Sequence, residues 1–343
     1  MTYVTIKKPN VNKELEKEVK ELSEKIAKAK IEIRKILIGQ EDVLNSLFEA
    51  LFADGHVLLE GIPGVGKTLL IRALSAVSGS MFSRVQFTPD LLPTDILGIT
   101  TYEEGKGFYT VKGPIFANFV LADEINRSPP KVQSAMLEGM QERQVTIGKE
   151  TFRLPHPFLV MATQNPLEQL GTYKLPEAQV DRFLYKVIMD YPSNEEELKI
   201  LTTNISTKRF EDYNLIPILN PTDITQGQEL VKKIFCDEKI GKYIIRITDT
   251  TRHPEKYSIE TGKYIEYGAS PRSSISLYIA SKSHAILKGR TYVTQQDIKD
   301  VARHILRHRI LINFEGEAEG VTSEKVIEEI LKKVPILWFK KWP

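Results

Sequence analysis

Cysteine is nearly missing from this chain. A lone Cys236 among 343 residues excludes an internal disulfide framework and fits a reducing compartment. Charge of one sign is not in excess either. Lys and Arg number 47 against 45 Asp and Glu, a net of +2, so there is no global polybasic signature for nucleic acid or an anionic membrane. No stretch approaches the roughly 18 consecutive apolar residues of a membrane span. The opening residues MTYVTIKKPN lack the apolar core and cleavage site of a secretory signal. These absences predict a cytoplasmic protein without membrane insertion. The six His are scattered, so no Cys/His metal cluster is legible, and His304 and His308, four apart, read as histidines on a helix surface. No Ser-His-Asp motif, internal repeat or low-complexity tract is present.

What is present is ordinary globular composition, 41% hydrophobic and 27% charged, with length enough for about two domains. Residues 12–36 read as a charged helix whose apolar positions Leu15, Val19, Leu22, Ile26, Ala29, Ile33 and Ile36 recur in steps of four and three. Docking on the chain's own body is favoured over an intermolecular zipper. A second helix, Glu41–Phe52, follows. Strand candidates at 56–60, 83–87, 118–123, 158–163 and 183–189 then alternate with helices, the pattern of a parallel sheet covered on both faces. Two segments interrupt that rhythm. Residues 88–114 carry TPDLLPTDILG and two β-like runs, Ile99–Tyr102 and Phe108–Val111, and residues 144–154 read as a hairpin turning at Gly148–Lys149. From Glu195 to about 313 the chain reads as mostly helical. Its final amphipathic helix is predicted over 294–311 with Thr294 as N-cap, before a short helix and an aromatic tail of Pro335, Trp338, Phe339 and Trp342.

The most informative residues are GIPGVGKT at 61–68, a match to G-x-x-x-x-G-K-[ST]. Val57, Leu58 and Leu59 before them have buried-strand character, and Leu69, Leu70, Ile71, Ala73 and Leu74 after them read as a helix. A strand, a glycine-rich turn and a helix start converge backbone N–H groups on phosphate. Lys67 can reach the β/γ-phosphates and Thr68 can offer a hydroxyl to Mg²⁺. FVLADEINR at 119–127 is the expected counterpart. It brings Asp123 to the carboxyl end of a strand to hold Mg²⁺, directly or through water, and Glu124 to polarise a water for in-line attack. ATQNP at 162–166 ends the next apolar strand, which suits Asn165 to orient that water or touch the γ-phosphate; as a bare Asn-Pro it is also a turn signal. Arg182, in EAQVDRF, and Arg272, after GASP near the start of a helix at Ser273, read either as surface ion-pair partners or as guanidiniums for the charge that develops in phosphoryl transfer.

In order, GIPGVGKT, QFTPDLLPTDILG, GPIFANFVLADEINRSPPKVQSAMLEGMQERQVTIG, MATQNP, GTYKLPEAQVDRFL and YGASPRSS resemble a MoxR-type AAA+ ATPase of the helix-2-insert group. The resemblance runs from about Ile38 to Ile310. It implies an α/β fold: a P-loop NTPase domain with a parallel five-stranded sheet and helices on both faces, followed by an all-helical lid. The expected divisions are an N-terminal helix at 1–36, the nucleotide domain at 37–191 with its inserts 88–114 and 144–154, a lid at 192–320, and a C-terminal helix with aromatic tail at 321–343. ATP or ADP with Mg²⁺ is the implied ligand, bound between subunits of a ring, usually six. By motif, Gly61–Thr68 is the Walker A loop, and Pro63, Gly64, Val65, Gly66, Lys67, Thr68 and Leu69 would contact the nucleotide. Ile38, Gly39 and Gln40 would lie near the adenine. Asp123 and Glu124 are the Walker B acids, Thr68 and Asp123 serving the metal. Asn165 is sensor 1, Arg182 the finger acting on a neighbour's ATP, and Arg272 sensor 2, which a displaced lid makes available in cis or in trans. Arg127 is a further inter-subunit candidate. In such rings both inserts point towards the pore. Lys174 departs from the family's usual proline in GTYPLPEAQ, which puts the local loop shape in doubt but not the chemistry.

The function so implied is ATP-driven, chaperone-like remodelling or maturation of a protein client, with a partner bearing a von Willebrand factor A domain. Two other classes compete. A nucleic-acid motor would want a strongly cationic hairpin, yet Lys149, Arg143 and Arg153 are interleaved with Glu142 and Glu150, so nucleic acid is not the expected partner. A nucleotide-responsive scaffold with little turnover sits poorly with an intact set of Asp123, Glu124, Asn165 and Arg182.

Overall fold

Short runs of β-branched and aliphatic residues between helices have few ways to hide both faces, and a covered parallel sheet is the commonest. The computed structural model describes residues 12–105, 107–166, 171–202 and 209–335. It divides into two compact units: Lys25–Gln226 and, among the described residues, 12–24 with 227–335. The boundaries fall inside α1 (Lys13–Ile33) and α8 (Pro221–Lys233).

In the first unit α2 (Glu41–Phe52) precedes β1 (Val57–Gly61), α3 (Lys67–Val77) and β2 (Phe82–Gln86). The first insertion follows as α4 (Pro93–Leu97) and the hairpin β3 (Gly98–Glu103) with β4 (Gly107–Lys112). Next come β5 (Phe119–Asp123), α5 (Pro130–Glu142) and a second hairpin, β6 (Gln144–Ile147) with β7 (Glu150–Arg153). The unit continues through β8 (Leu159–Gln164), α6 (Glu177–Val180), β9 (Tyr185–Met189) and α7 (Asn194–Thr202). The sheet order is β2-β5-β8-β1-β9, and every pair is parallel. All of β5 and the first five residues of β8 are buried, which only a sheet covered on both faces allows. The expected strands are therefore present, each with its ends displaced by no more than two residues.

Two polar groups inside this core are individually satisfied. His56 Nδ1 accepts the Val160 N–H at 3.0 Å while Nε2 donates to the Met140 carbonyl at 3.1 Å. Burial, and then the Arg143 guanidinium, push the imidazole pKa well below its ordinary value, so the ring stays neutral. The Tyr185 hydroxyl donates to Glu49 Oε2 at 2.8 Å, tying β9 to α2. The stripe of α1 is buried at Val19, Leu22, Ile26, Ala29 and Ile33, as a helix docked on its own chain requires.

The second unit is helical: α9 (Glu238–Arg252), α10 (Pro271–Leu287), α11 (Gln295–Leu306), α12 (Phe314–Ala318) and α13 (Ser323–Lys333), with a small antiparallel pair, β10 (Ile265–Tyr267) and β11 (Leu311–Ile312). Thr294 does cap α11: its hydroxyl accepts the Asp297 N–H, and Asp297 accepts the Thr294 N–H at 2.6 Å. The helix is shorter than expected, however. It stops at Leu306, and Leu311–Ile312 belongs to a strand. Buried Arg309 folds back and donates to the Ile305 carbonyl at 2.7 Å, serving a helix-end acceptor that has no intrahelical partner. That turn also corrects the reading of the two histidines. His308 lies beyond the helix and is buried. His304 is also withdrawn: burial, then Arg307 and Arg303, push its pKa down to about 4. Neither is an exposed helix-surface histidine. The helix holding Arg272 begins at Pro271, slightly earlier than read. Trp338, Phe339 and Trp342 lie outside the described residues.

Glu329 ties α13 to the backbone at Glu260 and Thr261 within this unit. Its carboxylate accepts the Glu260 N–H at 2.7 Å, the Thr261 N–H at 2.9 Å, the Thr261 hydroxyl at 2.6 Å and Lys333 Nζ at 2.8 Å. Burial works against the charged form, but these donors outweigh it and hold the pKa at about 2. Because the folded value lies below the ordinary carboxylate value of 4.5, the stabilisation is complete above that pH and is lost as pH falls towards 2. Glu329→Gln should therefore cost about 1–2 kcal/mol at neutral pH, solvent screening allowed for, and flatten the acid limb of a urea-denaturation series. An unchanged acid limb would remove the carboxylate from this role.

Candidate functional site

The turn after β1 has no freedom to be anything but glycine at two points. Gly64 and Gly66 sit at φ +85° and +90°, where side chains are strained although nothing would touch an added Cβ. Gly66 caps α3, so the first amide groups of that helix open onto a cleft of about 490 Å³. Loop residues Pro63, Gly64 and Gly66 form one wall, and Lys67, Thr68, Leu69 and Arg72 line the start of α3. Asp123 and Glu124 face them from the end of β5. Lys67 Nζ donates to the Gly61 carbonyl at 2.6 Å, which holds the ammonium over the turn. Val65 is in the same loop, half-buried, outside the cleft lining.

The two acids are held differently. Asp123, nearly buried, ends β5. Its Oδ1 accepts the Thr163 hydroxyl at 2.7 Å, and its Oδ2 accepts Arg84 Nη2 at 2.7 Å and Nε at 3.2 Å. Glu124 takes the left-handed conformation, φ 56°, rare for a side-chain-bearing residue. Its N–H is caught by Thr163 Oγ1 at 2.8 Å, so one buried hydroxyl from β8 positions both acids. Glu124 Oε2 accepts Gln86 Nε2 at 2.9 Å and pairs with Arg127 Nε at 3.0 Å. Arg84 Nη2 also donates to Gln86 Oε1 at 2.9 Å. A closed polar circuit therefore runs from Asp123 through Arg84 and Gln86 to Glu124.

The remaining candidates are distributed. Asn165 is buried directly beyond the end of β8, the central strand of the sheet. Ile38, Gly39 and Gln40 form the turn before α2, with Gly39 and Gln40 both left-handed; Gln40 Nε2 donates to the Asp190 carbonyl at 3.0 Å, and Gly39 lies against the Glu196 carboxyl group. Arg182, just past α6, is exposed and outside the cleft lining, and its Nη1 donates to the Leu137 carbonyl at 3.2 Å. Arg272 is the second residue of α10, in the helical unit. Lys174 is exposed and pairs with Glu177 at 3.4 Å.

Four residues escape a reading of the sequence alone: Arg72, Arg84, Gln86 and Thr163. Arg72 carries a faint signal, since four residues after Thr68 puts it on the same face of α3. Its guanidinium lies 4.2 Å from the Phe210 ring centroid and also pairs with Glu211. Arg84 and Gln86 share a strand face by alternation, but only strand order reveals that this face borders the acids.

These residues fit a magnesium nucleotide. The helix start and left-handed glycines supply amide donors for phosphate, Lys67 supplies positive charge, and the Thr68 hydroxyl and Asp123 carboxylate are oxygen ligands of the kind Mg²⁺ prefers. Comparison with known proteins agrees. Residues 56–185 match the profile of the ATPase family associated with various cellular activities (AAA), and residues 259–330 match the AAA lid domain. The chain is 44% identical to chaperone MoxR1 of Mycobacterium tuberculosis over 91% of its own length and 82% of that protein. It is equally identical to the uncharacterized YeaC of Bacillus subtilis over 91% of its length and 95% of that protein. The crystal structure of a "putative ATPase" from Cytophaga hutchinsonii superposes with a TM-score of 0.88 at 46% identity, covering 94% of this chain and 98% of the other. A parallel five-stranded nucleotide domain, a helical lid and these relatives together place the chain in the MoxR family of AAA ATPases.

Proposed function

We propose that this ATPase works as a ring, in which the cleft of one protomer is completed by an arginine of the next, and that hydrolysis drives chaperone-like remodelling of a client protein. The observation that carries the reading is the composition of the cleft. Lys67, Thr68, Asp123 and Glu124 all line it, whereas Arg182 is exposed and is not part of that lining. A guanidinium left outside its own cleft is free to serve a neighbour's. The chaperone name of the Mycobacterium tuberculosis relative supports the remodelling half.

In this reading the Gly61–Thr68 loop and Leu69 bind the nucleotide, Ile38–Gln40 lies by the adenine, and Thr68 and Asp123 hold Mg²⁺. The metal, when bound, neutralises phosphate charge. Glu124 accepts a proton from the attacking water, Asn165 orients that water, and Arg182 from the neighbour spreads over developing negative charge. Arg272 takes the part of sensor 2, in cis or in trans. In this reading the nucleotide domain is 37–191 and the lid 192–320, with segments 1–36 and 321–343 on either side of them in the sequence. The β3–β4 hairpin suits client contact, since Phe108 is 80% exposed and stacks edge-on with exposed Tyr102 at 5.2 Å. Six subunits, a von Willebrand factor A-domain partner and a cytoplasmic setting complete the proposal. No helix among the described residues is long and apolar enough to cross a membrane.

Specific ATPase activity measured across protein concentration, alongside sedimentation, tests the ring. Activity per protomer should climb as assemblies form. A chain that stays monomeric with ATP and Mg²⁺ yet hydrolyses at its full rate would overturn the composite site.

A further inference from the structure

The circuit around Asp123 contains one element that nucleotide chemistry does not demand: a guanidinium seated on the metal-binding carboxylate. We propose that Arg84 is the internal counter-ion of Asp123, holding it while no divalent cation is present and competing with the cation for it. Arg84 thereby sets how tightly the nucleotide-loaded site takes its metal. The inference rests on the reading that Asp123 holds Mg²⁺.

Strand register makes the seat. In the parallel pair of β2 and β5, Gln86 stands beside Asp123 and Arg84 beside Leu121. Arg84 and Gln86 are two apart and share a face, while Val85 between them is buried on the other. From there the Arg84 fork lays both Nε and Nη2 on a single oxygen, Oδ2, at 3.2 and 2.7 Å. The other oxygen, Oδ1, is already committed to the neutral Thr163 hydroxyl. A cation approaching Oδ2 therefore meets a like charge in place, and one of the two must leave.

Burial explains why a counter-ion is there. The Asp123 side chain is only 12% exposed, and a carboxylate so far withdrawn from water is costly without an opposite charge. Exposure of the partner explains why the arrangement is a competition and not a blockade. The Arg84 side chain is 48% exposed, so it can swing into solvent with its charge hydrated, and a pair of this kind is weak. The departing guanidinium keeps a second acceptor in Gln86 Oε1, which leaves it near the site.

The test is Mn²⁺ binding to the full chain loaded one-to-one with ADP, read by electron paramagnetic resonance. Arg84→Met keeps the length of the stem and removes the charge. It should bind Mn²⁺ about three- to fivefold more tightly than the unaltered chain. Tightening is an outcome that damage to the site would not produce. Unchanged or weaker Mn²⁺ binding, with ADP still bound, overturns the inference. Arg84→Lys retains a charge but cannot place two donors on Oδ2; it should fall between the two, and it decides the question if the Met variant fails to fold. Asp123→Asn is the control for the underlying reading. If it binds Mn²⁺ as the unaltered chain does, the metal role of Asp123 fails and the inference with it. If it loses Mn²⁺ while Arg84→Met shows no tightening, only the inference fails.

Discussion

Glu124→Gln should bind ATP within about twofold of the unaltered chain yet hydrolyse it some 10²–10⁴ times more slowly, the range ascribed to a positioned general base. The reason lies in what the substitution leaves alone. Glutamine has nearly the same shape, the left-handed backbone at Glu124 and the hydrogen bond from its N–H to Thr163 Oγ1 do not involve the side chain, and the wall of the cleft proposed to take the nucleotide belongs to the loop and α3. The capacity to take a proton from water disappears, and with it the charge that pairs with the part-exposed Arg127, a loss worth little beside the chemical one. Phosphate release under single-turnover conditions measures the hydrolysis, and the fluorescence of mant-ATP on binding measures the affinity. Turnover within threefold of the unaltered chain would remove Glu124 from the chemistry.

Arg182→Ala should have the second large effect, a loss of about 10³ or more in hydrolysis with ATP binding preserved, as for other arginine fingers. In its own protomer the side chain gives up one hydrogen bond, to the Leu137 carbonyl, a change too small to unfold the unit. A mixing experiment separates action on a neighbour from action at home. Arg182→Ala and Glu124→Gln protomers are each inactive alone, but random mixing creates about one interface in four where an intact Glu124 meets an intact Arg182. Activity should return on mixing. Persistent inactivity in co-assembled rings would place the arginine in its own protomer's site or nowhere in the chemistry.

Much of this architecture is legible in the sequence, and the reason is locality. The left-handed glycines, the helix start at Lys67 and the apolar run ending in Asp123 are each specified within about ten residues of chain, so spacing alone declares them. The central strands β1, β5 and β8 were equally legible, because buried parallel strands are nearly continuous apolar runs. Legibility failed where a polar-looking residue is spent on the interior. His308 and Arg309 look like the solvent side of a continuing helix, yet Arg309 turns back to a helix-end carbonyl and the chain leaves as a strand.

Sequence alone thus determined that a glycine-rich turn opens a helix after a buried strand and that two acids end a second strand, since both motifs are local and their chemistry is carried by residue type. Tertiary structure alone decided how those acids are held. Strand order sets β2 beside β5 and β8 on its other side, and that arrangement brings Arg84 and Gln86 from one neighbour and Thr163 from the other onto Asp123 and Glu124. Adjacency between strands is a property of how the whole sheet buries its surface, and nothing in the spacing of residues along the chain encodes it.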